Sequence, residues 1–500
     1  MSKQVGKVYL LGAGPGDPGL ITCKALRLLE EADVVLHDAL IHPELLRHCK
    51  TGAQVRFVGK RGGDPKNRQS SINEALIDEA RAGHTVVRLK GGDPFLFGRG
   101  SEEAEALGAA GIPFEVVPGV PSPMAATAYA GISLTHRELS SSVAYVTATE
   151  SPEKDRSAHD WAKLATATQT LVLFMGMRKL DVLMQLLMEH GRAADTPAAV
   201  VQSASLPSQR TIIGQVSTIA KLAQDANIGM PALTIVGDVV SLRHRLRWYD
   251  RKALFGKRIW VTRMSHQASD FSALLRDAGA MPLEAATIVL ESLAQSAQVR
   301  AAIKTLEDYR WVLFTSANGV HCFFEALQNE GLDARAFGHG KIATIGPATA
   351  MALKHYGLRA DITPQEYVAE SLTEALLASD SKGLKGAKVL IARAQSARDV
   401  LPKTLKEAGA TVDVLAVYRT KQPTEEAIQE LKQSIVNRQV DAVTFTSSST
   451  VEHAVQLLGN EAKDLLSQLV IACIGPITAQ TAKNMGLKVD VQAKVTRLLG

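Results

Sequence analysis

Two glycine-rich segments near the start of the chain have the composition of ligand-binding loops. The first, residues 12–19, follows the apolar run 8–11, and the second, residues 88–100, continues a run that begins at Thr85. Glycine lets a ligand approach the backbone, and the start of a following helix offers unpaired N–H groups. The first segment has Asp17 where a dinucleotide fingerprint needs glycine, and it suits a structural turn equally well. The second is too long for a plain turn, so we predict that it binds a ligand.

Hydroxyl residues recur at equivalent places in the second half of the chain. Phe314-Thr315-Ser316 returns as Phe445-Thr446-Ser447, and Ile345-Gly346-Pro347 returns as Ile474-Gly475-Pro476. Serine and threonine before a helix usually cap it, but a helix start also suits a carboxylate. Because the duplication supplies two such starts, we expect ligand contact in addition to capping. Two units, rather than many short repeats, predict a bilobed module.

Short apolar runs alternate with amphipathic segments along the whole chain, which predicts an α/β protein. The basic stretch 243–252 precedes a fresh strand signal at Gly256-Lys257-Arg258-Ile259. We therefore expect two domains, residues 1–250 and 251–500. We expect the basic stretch itself to be a solvated linker, with guidance of an acidic ligand as the alternative.

The composition describes a globular protein of several domains. Hydrophobic residues make up 46% of the 500 residues, and the formal net charge is only +5, which is small for a nucleic-acid-binding surface. The four cysteines are widely spaced, which supports neither a disulfide framework nor a metal site. Prolines interrupt the uncharged stretch 116–135, and we expect a loop and a short helix there instead of a membrane span. No secretion signal is evident, so we expect a cytoplasmic protein.

The first half resembles uroporphyrinogen III C-methyltransferase over about residues 6–248. The motifs that carry the resemblance are Gly12-Ala13-Gly14-Pro15-Gly16-Asp17-Pro18, Val58-Gly59-Lys60-Arg61, residues 88–100, Ala128-Tyr129-Ala130-Gly131-Ile132, Leu134-Thr135-His136-Arg137 and Phe174-Met175-Gly176. The resemblance implies a two-lobed class III methyltransferase fold that forms a homodimer. It also implies transfer of two methyl groups from S-adenosylmethionine to C2 and C7 of uroporphyrinogen III, which gives precorrin-2.

The resemblance also assigns site residues. The family's positions for S-adenosylmethionine correspond to Pro15, Gly91, Gly92, Asp93, Leu96, Met175 and Ala204. Its acid and base positions correspond to Asp38 and Lys60. Asp38 ends an apolar run, where a carboxylate suits proton transfer, although a turn aspartate is the commoner use. Lys60 suits either proton donation or pairing with a substrate carboxylate.

This chain departs from the family pattern at three places. The family commonly has Thr-Gly-His where this chain has Thr147-Ala148-Thr149, and tyrosine where it has Phe174. Pro121-Ser122 replaces a Thr-Ala pair, so that cofactor contact is not carried over.

The second half, from about residue 256, resembles uroporphyrinogen III synthase. The resemblance is carried by the duplicated motifs together with Val417-Tyr418-Arg419-Thr420 and Ile477-Thr478-Ala479. It implies two flavodoxin-like lobes, about residues 256–286 with 421–500 and residues 287–420, and cyclisation of hydroxymethylbilane with inversion of ring D. Tyr418 then corresponds to the residue that helps the hydroxyl leave. Thr315, Ser316, Thr446, Ser447 and Thr478 are the expected substrate contacts.

The two resemblances support each other, because the first half would use the product of the second. Two alternatives remain open at this point. The first half could methylate a later corrin precursor, and the second half could be a non-catalytic tetrapyrrole-binding module. The sequence favours neither sirohaem nor cobalamin as the eventual product.

Overall fold

The computed structural model describes residues 5–59, 69–148, 159–263, 265–366, 369–379, 383–397 and 399–494. The chain divides into two compact units, Met1–Arg258 with Ala273–Met281, and Ile259–Ser272 with Pro282–Gly500. In the described residues the strands form four sheets of five strands each, two in either half of the chain. The expected α/β class is confirmed.

The first sheet is parallel, with the strand order β3-β2-β4-β1-β5. Its strands are β1 (Val8–Gly12), β2 (Val34–His37), β3 (Gln54–Phe57), β4 (Val86–Lys90) and β5 (Phe114–Val117). Its helices are α1 (Cys23–Glu31), α2 (Gln69–Arg81), α3 (Gly100–Ala109) and α4 (Ser122–Ala130). Every residue of β4 is buried, as expected of a central strand covered on both faces. Both glycine-rich segments begin at the carboxyl ends of adjacent strands, β1 and β4.

The second sheet is mixed, with the order β6-β7-β10-β8-β9 and only β6 and β7 parallel. Its strands are β6 (Val143–Thr147), β7 (Thr170–Phe174), β8 (Pro197–Gln202), β9 (Arg210–Gln215) and β10 (Ala232–Val236). Its helices are α5 (Trp161–Ala167), α6 (Leu180–Glu189), α7 (Ile219–Asp225) and α8 (Arg243–Leu246). A buried apolar cluster on one face of this sheet also includes Ala126 and Ala130 of α4, which joins the two sheets into one unit.

The remaining strands lie in the second half of the chain. They are β11 (Arg258–Val261), β12 (Met281–Glu284), β13 (Val289–Ser292), β14 (Trp311–Phe314), β15 (Lys341–Thr344), β16 (Lys388–Ala394), β17 (Thr411–Lys421), β18 (Ala442–Phe445), β19 (Val470–Cys473) and β20 (Val491–Gln492). The helices are α9 (Ser265–Asp277), α10 (Ala297–Lys304), α11 (Ala317–Asn329), α12 (Pro347–His355), α13 (Ala369–Ser379), α14 (Val400–Glu407), α15 (Glu425–Val436), α16 (Ser448–Leu458), α17 (Ala462–Ser467) and α18 (Pro476–Asn484).

These strands build two sheets with matching strand orders. One sheet runs β12-β11-β18-β19-β20, which is the flavodoxin-like order 2-1-3-4-5. The other runs β13-β17-β16-β14-β15, and its parallel strands β17-β16-β14-β15 repeat the first four positions of that order. Its fifth position is a single parallel bridge between Ala343 and Ile362. The sheet that contains β11 and β18 therefore combines the start and the end of the second half of the chain. The sheet that contains β14 and β16 uses the middle of that half.

A duplicated hydrogen bond supports the same correspondence. Asp361 Oδ2 accepts the Ile342 N–H at 2.7 Å, and Asp490 Oδ2 accepts the Ile471 N–H at 3.0 Å. Each carboxylate accepts the N–H of the second residue of a strand, β15 or β19, that comes after the helix beginning at a Phe-Thr-Ser segment. The internal repeat predicted from the sequence is therefore visible in backbone pairing and in side-chain contacts.

The basic stretch 243–252 is solvated only in part. His244, Arg245, Arg247 and Arg251 are exposed, as expected of a solvated linker, but other residues attach the stretch to its unit. Arg243 is mostly buried, pairs with Asp250 and donates to the Ala130 carbonyl. Trp248 Nε1 donates to the Ala128 carbonyl at 2.9 Å, and Tyr249 is 3% exposed. The composition of the stretch concealed two aromatic anchors, which pack the segment against α4. The uncharged stretch 116–135 does form a loop and the helix α4, as predicted. Among the described residues, no helix is both long and apolar enough to span a membrane.

Candidate functional site

The loop after β1 is held by hydrogen bonds to Asp17. The Asp17 carboxylate accepts the Gly19 N–H at 2.8 Å and the Tyr129 hydroxyl at 2.6 Å, and its own N–H donates to Ser205 Oγ at 3.0 Å. Burial and the hydrogen bond to Asp17 raise the pKa of Tyr129, so its hydroxyl remains a donor at neutral pH. Asp17 thus stands where the dinucleotide-binding fingerprint has a glycine, and its hydrogen bonds hold the loop in place.

The two glycine-rich loops pair directly with each other. Gly14 N–H donates to Gly92 O at 3.2 Å, and Gly92 N–H donates to Gly14 O at 2.7 Å. Gly92 has φ of +69°, a conformation in which residues other than glycine are strained. Asp93 then ties its loop to β5 by accepting the Phe95 N–H at 2.8 Å and the Gly119 N–H at 3.1 Å. Gly91, Gly92 and Asp93 therefore lie beside the loop that contains Pro15.

The remaining residues expected to hold the cofactor lie around the same loops. A Cβ atom on Gly16 would be 2.9 Å from the Ala204 carbonyl, so the turn after Pro15 touches the loop after β8. Leu96 and Ala204 pack against the cluster that includes Phe174, and Met175 follows that residue with φ of +54°. Glycine backbone on one side and apolar side chains on the other fit the polar and apolar parts of S-adenosylmethionine.

Asp38 lies at the carboxyl end of β2, beside β4. Its carboxylate forms an ion pair with Arg88, whose side chain is 2% exposed, while Asp38 keeps 29% exposure. The Asp38 N–H donates to the Leu89 carbonyl at 3.2 Å. Asp38 is therefore fixed at the same sheet edge as the glycine loops. Lys60, the other expected acid-base residue, lies outside the described residues, as does Thr149.

The buried charges behind Asp38 were not predicted from the sequence. Arg88 Nε and Lys90 Nζ both donate to Glu103 Oε1, at 3.1 and 3.0 Å, and Glu103 is fully buried. Burial lowers the pKa of Lys90, and the neighbouring Arg88 adds to that effect. The sequence did contain one signal for these charges. Arg88 and Lys90 are two residues apart at the end of a buried strand, so both cations point to the same face of the sheet.

A cavity of about 520 Å³ in this unit lies apart from the predicted residues. It borders α4, the turn after it and β6, and Met124, Thr135 and Tyr145 line it. None of the expected cofactor positions is among its lining residues. The paired loops form the candidate cofactor site, because they combine backbone N–H groups, apolar walls and a fixed carboxylate.

In the β13–β17 sheet, Tyr418 and Ser316 come together. The Tyr418 hydroxyl lies 3.0 Å from Ser316 Oγ, and Ser316 also accepts the Gly319 N–H at 3.0 Å as the N-cap of α11. Burial raises the pKa of Tyr418, which keeps the phenol protonated. Thr315 precedes this cap and is half-buried. The hydroxyls expected to contact substrate in this lobe are therefore adjacent.

In the other sheet, Ser447 caps α16 through a capping box with Thr450. Thr446 is half-buried beside it, whereas Thr478 in the first turn of α18 is only 5% exposed. Both predicted helix starts are thus capped by their own serine. Arg263 and Arg393, at equivalent positions of the repeat, were not singled out from the sequence. Burial lowers the pKa of the Arg263 guanidinium, and Arg393 pairs with Asp399.

Together the fold and these residues describe two enzymes in one chain: a tetrapyrrole methylase followed by a bilobed synthase. Residues 7–220 match the family of tetrapyrrole (corrin/porphyrin) methylases, and residues 269–499 match the family of uroporphyrinogen-III synthase HemD. The porphyrin biosynthesis protein HemD of Ruminiclostridium josui is 39% identical over 492 residues, which cover 98% of this chain and 96% of the relative. The chain therefore belongs to the family of the Ruminiclostridium josui protein, in which both domains are joined, and is a bifunctional enzyme of tetrapyrrole biosynthesis.

Two further comparisons are with uroporphyrinogen-III and uroporphyrin-III C-methyltransferases. The uroporphyrinogen-III C-methyltransferase of Bacillus subtilis is 39% identical over 330 residues, covering 66% of this chain and 68% of the relative. A crystal structure of uroporphyrin-III C-methyltransferase from Thermus thermophilus, complexed with S-adenosyl homocysteine, is 39% identical. The match covers 47% of this chain and 100% of the Thermus thermophilus chain, with a TM-score of 0.41.

Proposed function

We propose that the C-terminal half cyclises hydroxymethylbilane to uroporphyrinogen III, with inversion of ring D. The N-terminal half then transfers two methyl groups to C2 and C7 of that product and gives precorrin-2. The observation that carries the proposal is the pairing of the loops at Gly14 and Gly92 beside Asp38, in a chain whose second half is a duplicated synthase module. The order of the two reactions follows from the chemistry, because the product of one is the substrate of the other.

In the methyltransferase half, the cofactor residues are Pro15, Gly91, Gly92, Asp93, Leu96, Met175 and Ala204. S-adenosylmethionine supplies the activated methyl group when it is bound there. The glycine backbone fixes its polar end, and the apolar side chains exclude water from the sulfonium. Orientation of the pyrrole carbon is the main demand of this reaction. Asp38 accepts the proton lost from the methylated ring, and Lys60 pairs with a substrate carboxylate or donates a proton.

In the synthase half, Tyr418 donates a hydrogen bond to the departing hydroxyl of the linear substrate. A protonated phenol suits this role, and burial of Tyr418 favours the protonated form. Thr315, Ser316, Thr446 and Ser447 bind substrate carboxylates through hydroxyls and helix-start N–H groups. Thr478 is buried and contributes through its place in the first turn of α18. Most of the rate comes from folding the linear substrate, so no single side chain is indispensable. We further propose a cytoplasmic homodimer that assembles through the methyltransferase half.

Cross-tested variants separate the two activities. Asp38→Asn should lower methylation of supplied uroporphyrinogen III and leave cyclisation unchanged. Tyr418→Phe should lower cyclisation and leave methylation unchanged. Isomers are separated by chromatography after oxidation, and methylated products are identified by mass. A wild-type chain that methylates but yields only the spontaneous type I isomer would replace the synthase assignment with a tetrapyrrole-binding module.

A further inference from the structure

Four charged side chains, three of them buried, form one network that joins the predicted base to the cofactor loop. Arg88 bridges Asp38 and Glu103, and Lys90 donates to the same Glu103 oxygen at 3.0 Å. Gln69 Nε2 adds a third donor to that oxygen at 3.2 Å. Arg88, Lys90 and Glu103 are each no more than 2% exposed. Two cations and two anions balance the formal charge of the network.

Stability alone explains this arrangement poorly. Buried ion pairs contribute little net stability, because desolvation offsets their attraction, and apolar residues often replace them without loss. Glu103 Oε2 is also buried without a hydrogen-bond partner among the described residues, which is a further cost. A network with these costs fits a positional role better than a purely structural one.

The network connects two parts of the site that no single strand joins. Asp38 follows β2, whereas Arg88 and Lys90 lie on β4, directly before the loop that begins at Gly91. A Cβ on Gly98 would lie 3.4 Å from Lys90 Cε, so the lysine stem supports the far side of that loop. Glu103 lies in the first turn of α3, where the loop ends. One buried carboxylate thus holds both ends of the cofactor loop and, through Arg88, the base.

We propose that Arg88 and Glu103 are positioning residues for methyl transfer, which fix the Asp38 carboxylate relative to the loop formed by residues 91–99. Arg88 Nη2 holds Asp38 Oδ1, and two further Arg88 contacts, to the Leu36 and Leu89 carbonyls at 3.4 and 3.3 Å, fix the guanidinium plane. Among the described residues the second Asp38 oxygen has no hydrogen-bond partner, which leaves it for the substrate proton. This inference rests on the proposed role of Asp38 in methylation.

A double-mutant cycle tests the proposal in the full-length chain. Arg88→Met and Asp38→Asn are made singly and together, and kcat for methylation of uroporphyrinogen III is measured with the KM for S-adenosylmethionine. Misplacing a catalytic group by about 1 Å costs on the order of 100-fold, so Arg88→Met should lose about that much in kcat. Asp38→Asn removes the base itself and should lose about 100-fold or more. The double variant should lose no more than Asp38→Asn alone, because Arg88 acts through Asp38. The KM for S-adenosylmethionine should stay near the wild-type value, because Lys90 still donates to Glu103 and holds the cofactor loop without Arg88.

Two further variants exclude a purely structural effect. Arg88→Lys keeps the charge but cannot reach Asp38 and Glu103 together in the planar geometry of a guanidinium, so its kcat should also fall. Arg56→Met removes an ion pair to Glu79 at 2.6 Å on the neighbouring strand β3, and its kcat should match wild type. Thermal unfolding of each variant is recorded, and cyclisation serves as an activity control in the same chain.

The possible results are distinguishable. Losses that multiply in the double variant would overturn the positioning role while leaving the role of Asp38 intact. Full activity of Asp38→Asn would overturn both the role of Asp38 and this inference. Wild-type kcat in Arg88→Lys, with Arg88→Met unfolded, would reduce Arg88 to a structural residue. A wild-type chain that does not methylate uroporphyrinogen III would instead refute the proposed function.

Discussion

Replacing Gly92 by alanine tests whether the paired loops bind S-adenosylmethionine. Gly92 has φ of +69°, and the protein atom nearest to an added Cβ is Ser122 N, at 3.7 Å. The methyl group therefore fits the protein itself, and the backbone strain costs about 1 kcal/mol. For a unit of this size, that cost corresponds to a fall in Tm of about 2–4 °C.

Gly111 provides a matched control in the same half of the chain. It lies in the turn after α3 with φ of +67°, and no atom lies within 4 Å of an added Cβ. Gly111→Ala therefore carries the same backbone strain and should show the same fall in Tm. Only Gly92→Ala places its methyl group in the proposed cofactor site. Overpacking of that kind costs about 1–3 kcal/mol, which weakens cofactor binding about 5- to 150-fold.

Isothermal titration with S-adenosyl homocysteine measures this difference directly. We expect Gly111→Ala to bind as wild type does, and Gly92→Ala to bind at least fivefold more weakly at an equal Tm. Equal affinities in both variants would place the cofactor away from the loop at Gly92 and refute the assignment. A much larger fall in Tm for Gly92→Ala would show that the loop has no room for the methyl group.

Other predictions concern the remaining parts of the chain. Tyr418→Phe should slow cyclisation roughly 100-fold, the lower end of general-acid catalysis, without abolishing the type III product. Burial raises the pKa of Tyr418 above its ordinary value near 10, so the folded protein keeps this phenol protonated beyond that pH. The stability linked to it is full below about pH 10 and is lost as the pH rises from there through the raised pKa. A pH–rate profile should therefore show no loss from this group below about pH 10. Asp250→Asn should destabilise the methyltransferase unit by about 2 kcal/mol through its pairing with Arg243, measured by denaturant unfolding. Asp361→Ala and Asp490→Ala should each cost about 1 kcal/mol, and clearly unequal losses would contradict equivalence of the duplicated bonds.

The α/β class and the internal repeat were readable from the sequence because both leave local patterns. Apolar runs mark the buried strands, and the duplicated Phe-Thr-Ser segments mark equivalent strand ends. The strand order was a different matter. It depends on pairing between β11 and β18, which lie far apart in the sequence, and only the resemblance to a known family indicated it. Most basic residues of the stretch 243–252 are solvated as expected, but its anchoring by Trp248 and Tyr249 was missed because the average charge of the stretch hid it.

The candidate site was predictable in part. Glycine loops and a carboxylate at a strand end leave recognisable signals, and the structure brings Gly14, Gly92 and Asp38 to one sheet edge. The network behind Asp38 was not predictable in the same way. Whether Glu103 on α3 faces Arg88 depends on how the helix packs on the sheet, which charge patterns do not reveal. The capping roles of Ser316 and Ser447 were expected, whereas the burial of Thr478 was not.

The most direct test of the whole account is to give the purified chain hydroxymethylbilane with and without S-adenosylmethionine. Without the cofactor we expect uroporphyrinogen III, and with it a dimethylated product with the mass of precorrin-2. Type I isomer alone in the first reaction, together with methylation of supplied uroporphyrinogen III, would contradict the synthase assignment. Type III isomer that remains unmethylated when the cofactor is present would contradict the methyltransferase assignment.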